Sequence, residues 1–132
     1  YSAQSQQQDT KMPIERRHVG KRLSEAVVFT PGGERLIYLA GQVAEDRAAS
    51  MTEQSQQVLA VIDRLLGEVG SDKTRILSAT IFLPDMADFP ALNAVWEAWI
   101  VPGQTPARAT VEAKLAHPDY RVEIQVVATA PA

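Results

Sequence analysis

Residues 105–130 read TPARATVEAKLAHPDYRVEIQVVATA, and two short runs within them decide the fold. The first, about 107–113, and the second, about 120–129, alternate β-branched or small residues with polar ones, the period-two signature of strands. Pro106 has no amide hydrogen for a ladder and marks the start or edge of the first. LAHPDY (115–120) connects them. Each strand carries a charge. Alternation puts Arg108 on one face with Thr110 and Glu112, and Glu123 with Gln125 and Val127, opposite Val122, Ile124 and Val126.

Upstream, RILSATIFLPD (75–85) reads as a strand closed by Pro84-Asp85. Between it and the Arg108 strand, Phe89, Leu92, Trp96, Trp99 and Ile100 recur at helical spacing, which predicts a helix over about 87–100, ended by Pro102-Gly103. A longer helix is predicted over 51–69. Ser50-Met-Thr-Glu53 has the spacing of a capping box, Val58, Ile62, Leu65, Leu66 and Val69 form the apolar stripe, and Gly70 is the stop. Segments 24–30 and 35–43 flank Pro31-Gly32-Gly33 as a hairpin, and 13–19 is a short first strand. The order β-β-β-α-β-α-β-β predicts an α+β two-layer sandwich: a mixed sheet of about six strands with two helices on one face. The other face then lacks cover. Ile37, Leu39, Val111 and Val126 are candidates for it, and a domain with an uncovered apolar face associates.

A chain of 132 residues fits one domain and can bury roughly two-thirds of its unfolded surface. Residues 1–12 are expected to be a flexible tail, since YSAQSQQQDT is polar and patternless, and 13–132 a single domain. There is no cysteine, which excludes disulfide scaffolds, zinc–thiolate sites and thiol nucleophiles. That fits a cytoplasmic location, with export as the alternative if residues 1–10 follow a cleaved signal. A net charge of −3 and a pI near 5.3 argue against a nucleic-acid binder. No apolar run is long enough for a membrane span. His18 and His117 lack metal-ligand spacing, and no metal site is expected.

From residue type alone, Arg108 is either a carboxylate anchor, since its guanidinium fork matches a carboxylate in two-point fashion, or half of a structural ion pair. Glu123 is either a group that holds a water or moves a proton, or a solvated strand residue, or the partner of Arg108. Residue chemistry leaves both open.

Taken together, LAGQV (39–43), TEQSQQVLAVIDRLLGEVG (52–70), ILSATIFLPDMADFPALNAVWEAW (76–99) and TPARATVEAKLAHPDYRVEI (105–124) resemble the Rid (YjgF) family of reactive-intermediate deaminases, over about residues 20–129. The most specific part is Pro-Ala-Arg-x-x-Val at 106–111 followed by Val-Glu-Ile at 122–124, supported by Asp-Phe-x-x-x-Asn at 88–93. The resemblance implies a chorismate-mutase-like fold and a homotrimer with clefts between neighbouring subunits. It also implies hydrolysis of small 2-imino or enamine acids to 2-keto acids and ammonia, without metal or cofactor. By the same resemblance Arg108 holds the substrate carboxylate, Glu123 positions the attacking water, Asn93 supports the cleft, and Ala40 and Thr110 line it. Three positions depart from the family pattern. Ala40 stands where a serine is usual, Leu23 or Ser24 where a tyrosine is usual, and Thr110 where a cysteine is common. The alternative they motivate is a trimeric protein that binds small carboxylates or a partner without turnover. The family's ribonuclease activity is not expected of so acidic a chain.

Overall fold

The structure, a computed structural model, describes residues 14–19, 21 and 24–132. The expected tail, Pro13 and Leu23 lie outside the described residues. The elements follow the predicted order. Strands β1 (Ile14–Val19), β2 (Ser24–Phe29) and β3 (Arg35–Leu39) precede helix α1 (Met51–Glu68). Then come β4 (Ile76–Leu83), helix α2 (Phe89–Trp99), β5 (Ala107–Glu112) and β6 (Glu123–Ala130). All six strands form one sheet in the order β1-β2-β3-β6-β4-β5. Among the described strands only β4 and β5 pair in parallel, as strands joined through a helix can. This is the expected α+β two-layer sandwich.

Local chemistry explains the helix ends. The Ser50 hydroxyl accepts from Glu53 N at 3.1 Å, and the Glu53 carboxylate accepts from Ser50 N at 3.4 Å, so the capping box is present. At the other end of α1, Gly70 has a φ of 78°, and Arg35 Nη2 donates to Val69 O at 2.6 Å. A side chain from β3 thereby caps the helix carbonyls. A 3-10 turn, Met86–Asp88, precedes α2 and shifts its start from the expected 87 to 89. Pro90 stands in its first turn, where no amide hydrogen is needed.

Two strand boundaries differ from expectation. β3 ends at Leu39 rather than 43, and beyond it Gln42 alone bridges to Ile124. β6 begins at Glu123 rather than 120. The cause of the second lies in Gln54, which is fully buried on α1. Its amide nitrogen donates to the carbonyls of Arg47, Ala49 and Asp119, at 3.0–3.3 Å, and its oxygen accepts from Arg121 N at 2.9 Å. The backbone of 119–121 therefore bonds to a helix side chain instead of a strand.

The core lies between the helices and one sheet face. Val28, Ile37, Leu39, Ile81, Leu83, Ile124 and Val126 from the strands meet Val58, Leu59, Ile62, Leu65, Leu66 and Leu92 from the helices. Ile37, Leu39 and Val126, expected as candidates for the uncovered face, are buried here at 0–2% exposure. The alternate residues occupy the other face: Val27, Phe29, Leu36, Tyr38, Phe82, Val127 and Val111. They are half-buried or exposed, Tyr38 by 46% and Val111 by 43%. The uncovered apolar face exists, with Val111 on it as expected and the other members reassigned by register.

Gln54→Ala leaves three carbonyls and one amide inside the loop cluster without protein partners. It should lower the unfolding free energy by about 2–4 kcal/mol, measured by urea denaturation. A change below about 0.5 kcal/mol would contradict the role given to this side chain.

Candidate functional site

Register fixes where each candidate side chain points. Along β4, Ala79, Ile81 and Leu83 face the helices and are buried. Their partners on β5 are Arg108, Thr110 and Glu112. Residues paired across adjacent strands share a face, so these three point to the helix side. Ser78, Thr80 and Phe82 point the other way, and Phe82 pairs with Glu123 on β6. Arg108 and Glu123 therefore lie on opposite faces of the sheet. Their backbones are two strands and three positions of β4 apart, about 10 Å across and about 10 Å along. One small molecule cannot touch both side chains of the same chain. The same geometry excludes Glu123 as the ion-pair partner of Arg108 within one chain.

Arg108 ends in a slot formed by α2. Phe89, Asn93 and Trp96 recur at positions i, i+4 and i+7, which stack on one side of a helix. Arg108 Nη2 donates to Asn93 Oδ1 at 2.9 Å. Its Cζ lies 5.7 Å from the Phe89 ring centroid and 5.4 Å from that of Trp96, within cation–π range. Among the described residues no carboxylate pairs with it. Asp88, next to Phe89, is taken up by Arg121, which donates to both of its oxygens at 3.1 and 3.2 Å. The cation is thus half-buried with a single neutral hydrogen-bond partner, and most of its donors remain for something else.

Thr110, on the same face two residues further along β5, has a buried Oγ1 with no hydrogen-bond partner among the described residues. An unmatched buried hydroxyl costs about 1–3 kcal/mol, and such groups gather at binding sites. On the opposite face the Glu123 carboxylate lies directly on Gly41. A Cβ placed at residue 41 would overlap Glu123 Oε2 and stand 2.9 Å from its carboxyl carbon. Ala40 and Gly41 also line a cleft of about 340 Å³ with Glu25, Gln42, Arg64 and Tyr120. The Ala40 amide is engaged by Glu25 O at 2.7 Å.

Within one chain the fold therefore makes two separate side-chain clusters. Arg108, Asn93 and Thr110 form one, on the helix side of the sheet edge. Glu123 and Gly41 form the other, on the open face, with Ala40 at its margin. No group of three or more histidine or acidic side chains among the described residues could hold a metal ion. No helix among them is long and apolar enough to cross a membrane. Sequence reasoning assigned Phe89 and Trp96 to the apolar stripe and gave Gly41 no role. The available signal was Asn93, a polar residue between two aromatics at helical spacing.

Comparison with known proteins identifies the family. The family model described as endoribonuclease L-PSP matches residues 17–130. A RutC family protein of Haemophilus influenzae is 45% identical over 119 residues, spanning 89% of this chain and 99% of its own length. A solved structure of a YjgF-family protein from Neisseria meningitidis superposes with a TM-score of 0.85 at 47% identity, over 92% of this chain and 98% of that one. A protein named 2-iminobutanoate/2-iminopropanoate deaminase from Capra hircus is 33% identical over 101 residues, covering 72% of this chain and 73% of its own. The chain belongs to the Rid (YjgF) family that the endoribonuclease L-PSP model describes.

Proposed function

We propose that the protein hydrolyses small 2-imino or enamine acids to 2-keto acids and ammonia. The reaction occurs in clefts between the subunits of a homotrimer. Arg108 of one subunit binds the substrate carboxylate, and Glu123 of the neighbouring subunit positions the water. The observation that carries this reading is the guanidinium of Arg108, half-buried and, among the described residues, unpaired with any carboxylate and hydrogen-bonded to Asn93 alone. A desolvated cation without a counter-charge is unfavourable, and a planar carboxylate supplies the charge in the geometry the fork prefers. The relative named as a deaminase supports the choice of reaction.

The step asks little of the protein. A 2-imino acid, especially when protonated, is already electrophilic at the imine carbon. Water adds there: the carbon–oxygen bond forms, the π pair moves to nitrogen, and the water's proton passes by way of the Glu123 carboxylate to nitrogen. The carbon–nitrogen bond of the resulting carbinolamine then breaks. As it breaks, the hydroxyl proton passes, again by way of the carboxylate, to the departing nitrogen, so ammonia leaves and the carbonyl forms. Holding the carboxylate and orienting one water supply what such a reaction gains from a site without a strong nucleophile. A second reading, binding of small carboxylates without turnover, is favoured by Ala40, which contributes no proton-carrying group to the cleft.

A coupled assay separates them. With an amino-acid oxidase or dehydratase generating 2-iminopropanoate, added protein should accelerate pyruvate release. Arg108→Ala should remove at least about 100-fold of that activity, the worth of two charge-assisted hydrogen bonds. Ligand-induced thermal stabilisation by pyruvate with no acceleration would instead establish the silent binder.

The opposite faces of Arg108 and Glu123 predict complementation. Arg108→Ala and Glu123→Ala homotrimers should each be inactive. Unfolded together and reassembled, they should recover about a quarter of wild-type turnover, because each mixed ring of a head-to-tail trimer has one intact cleft. No recovery in verified mixed trimers would place both residues in one subunit's site.

Gly41→Ala should push the Glu123 carboxylate from its seat. Turnover should fall about 10-fold or more while pyruvate affinity, carried by Arg108, stays near wild type. An unchanged rate would remove Gly41 from the site.

A further inference from the structure

We propose that Phe89 and Trp96 are positioning residues for the carboxylate anchor: together with Asn93 they clamp the Arg108 guanidinium so that its ligand-facing edge is fixed before anything binds. The proposal rests on the reading of Arg108 as the anchor.

An arginine on an edge strand ends in a long, rotamer-rich chain, and a ligand that had to order it would bind weakly. Here the ordering comes from one face of α2. The guanidinium centre lies nearly equidistant from the two rings, 5.7 Å from Phe89 and 5.4 Å from Trp96. Asn93, midway between them along the helix, accepts from Nη2 at 2.9 Å. Trp96 is itself fixed, being 5% exposed and packed into the core, with Trp99 5.4 Å away between ring centroids. Phe89 is half-buried at the first turn of the helix.

The chemistry of the clamp suits an anchor that must stay unneutralised. Aromatic faces attract the cation without accepting its in-plane hydrogen bonds, so they immobilise the fork and leave its donors free. Asn93 contributes a neutral carbonyl and takes one donor. A carboxylate at any of the three positions would hold the guanidinium equally well but would occupy the bidentate edge and cancel its charge. The nearby acid, Asp88, is diverted onto Arg121. The three-residue grip and that diversion together keep a cation ordered but unpaired.

The test reads the guanidinium directly as well as the ligand. In proton–nitrogen spectra of the unliganded wild-type protein, the Arg108 Nε–Hε signal should be displaced by the ring currents and protected from solvent exchange. Phe89→Leu should return it towards the position of exposed arginines, and Phe89→Tyr, which keeps a ring, should not. By calorimetric titration Phe89→Leu should weaken pyruvate binding about 3- to 10-fold, with Phe89→Tyr near wild type. In the imine assay the loss should lie in KM more than in kcat. Trp96→Phe is the companion variant, chosen to spare the core.

A Phe89→Leu protein with an unshifted Arg108 signal, or with unweakened pyruvate binding in a wild type that binds, overturns the clamp alone. A wild type that neither binds pyruvate nor hydrolyses imines overturns the anchor reading. In that case the clamp's function falls with it, while the Arg108 signal still decides whether the rings hold the side chain. The two failures are therefore distinguishable.

Discussion

The register of β4 between its two neighbours governs everything at the candidate site. Ala79 stands opposite Arg108 on one side and Val126 on the other, and Phe82 stands opposite Glu123. Those pairings set which residues meet the helices, and side chains alternate strictly from there. A slip of one residue between β4 and β5 would turn Arg108 to the open face and bring Val111 onto the helix side. It would also leave Asn93 without its partner. The core contacts of Ala79, Ile81 and Leu83, all at 2% exposure or less, hold β4 in place and so hold the site.

The fold was largely legible because its signals are local. The capping box at Ser50, the apolar stripe of α1, the Gly32-Gly33 reversal and the Pro102-Gly103 stop each act within a few residues, and each element formed where its signal lay. The misjudged boundaries have a distant cause. β6 starts late because Gln54, far away in sequence, claims the backbone around Arg121. For the site, the signature identified Arg108 and Glu123 as residues to watch but not their faces. Alternation orders residues within a strand. The relative face of two strands depends on their pairing, which no local pattern encodes.

β5 illustrates how a simple alternation rule misleads. Its apolar row, Ala107, Ala109 and Val111, faces away from the core, and its polar row, Arg108, Thr110 and Glu112, faces the helix layer. Hydrophobic-in, polar-out would have assigned the strand the other way round. Two circumstances invert it. β5 is the sheet edge, and the part of α2 that covers it presents Phe89, Asn93 and Trp96 rather than aliphatic core. A half-buried cation and a buried hydroxyl, both unmatched among the described residues, then sit on one strand, each a local cost that the core elsewhere must offset. Such violations gather where a fold serves a ligand.

If Arg108 and Glu123 act on one substrate, their opposite faces constrain the assembly as well as the site. Two chains stacking their open sheet faces about a two-fold axis would bring Glu123 towards Glu123 and leave both arginines on the outside. The cluster at the β5 edge of one copy must instead meet the open-face cluster of the next, a head-to-tail contact between different surfaces. Contacts of that kind close only as a ring. A ring with the open faces inward would also cover Tyr38 and Val111, the exposed apolar residues of that face. Each copy would have its open face covered by the neighbour on one side and its Arg108 completed by Glu123 of the neighbour on the other, so one type of interface, repeated round the ring, would serve stability and chemistry together.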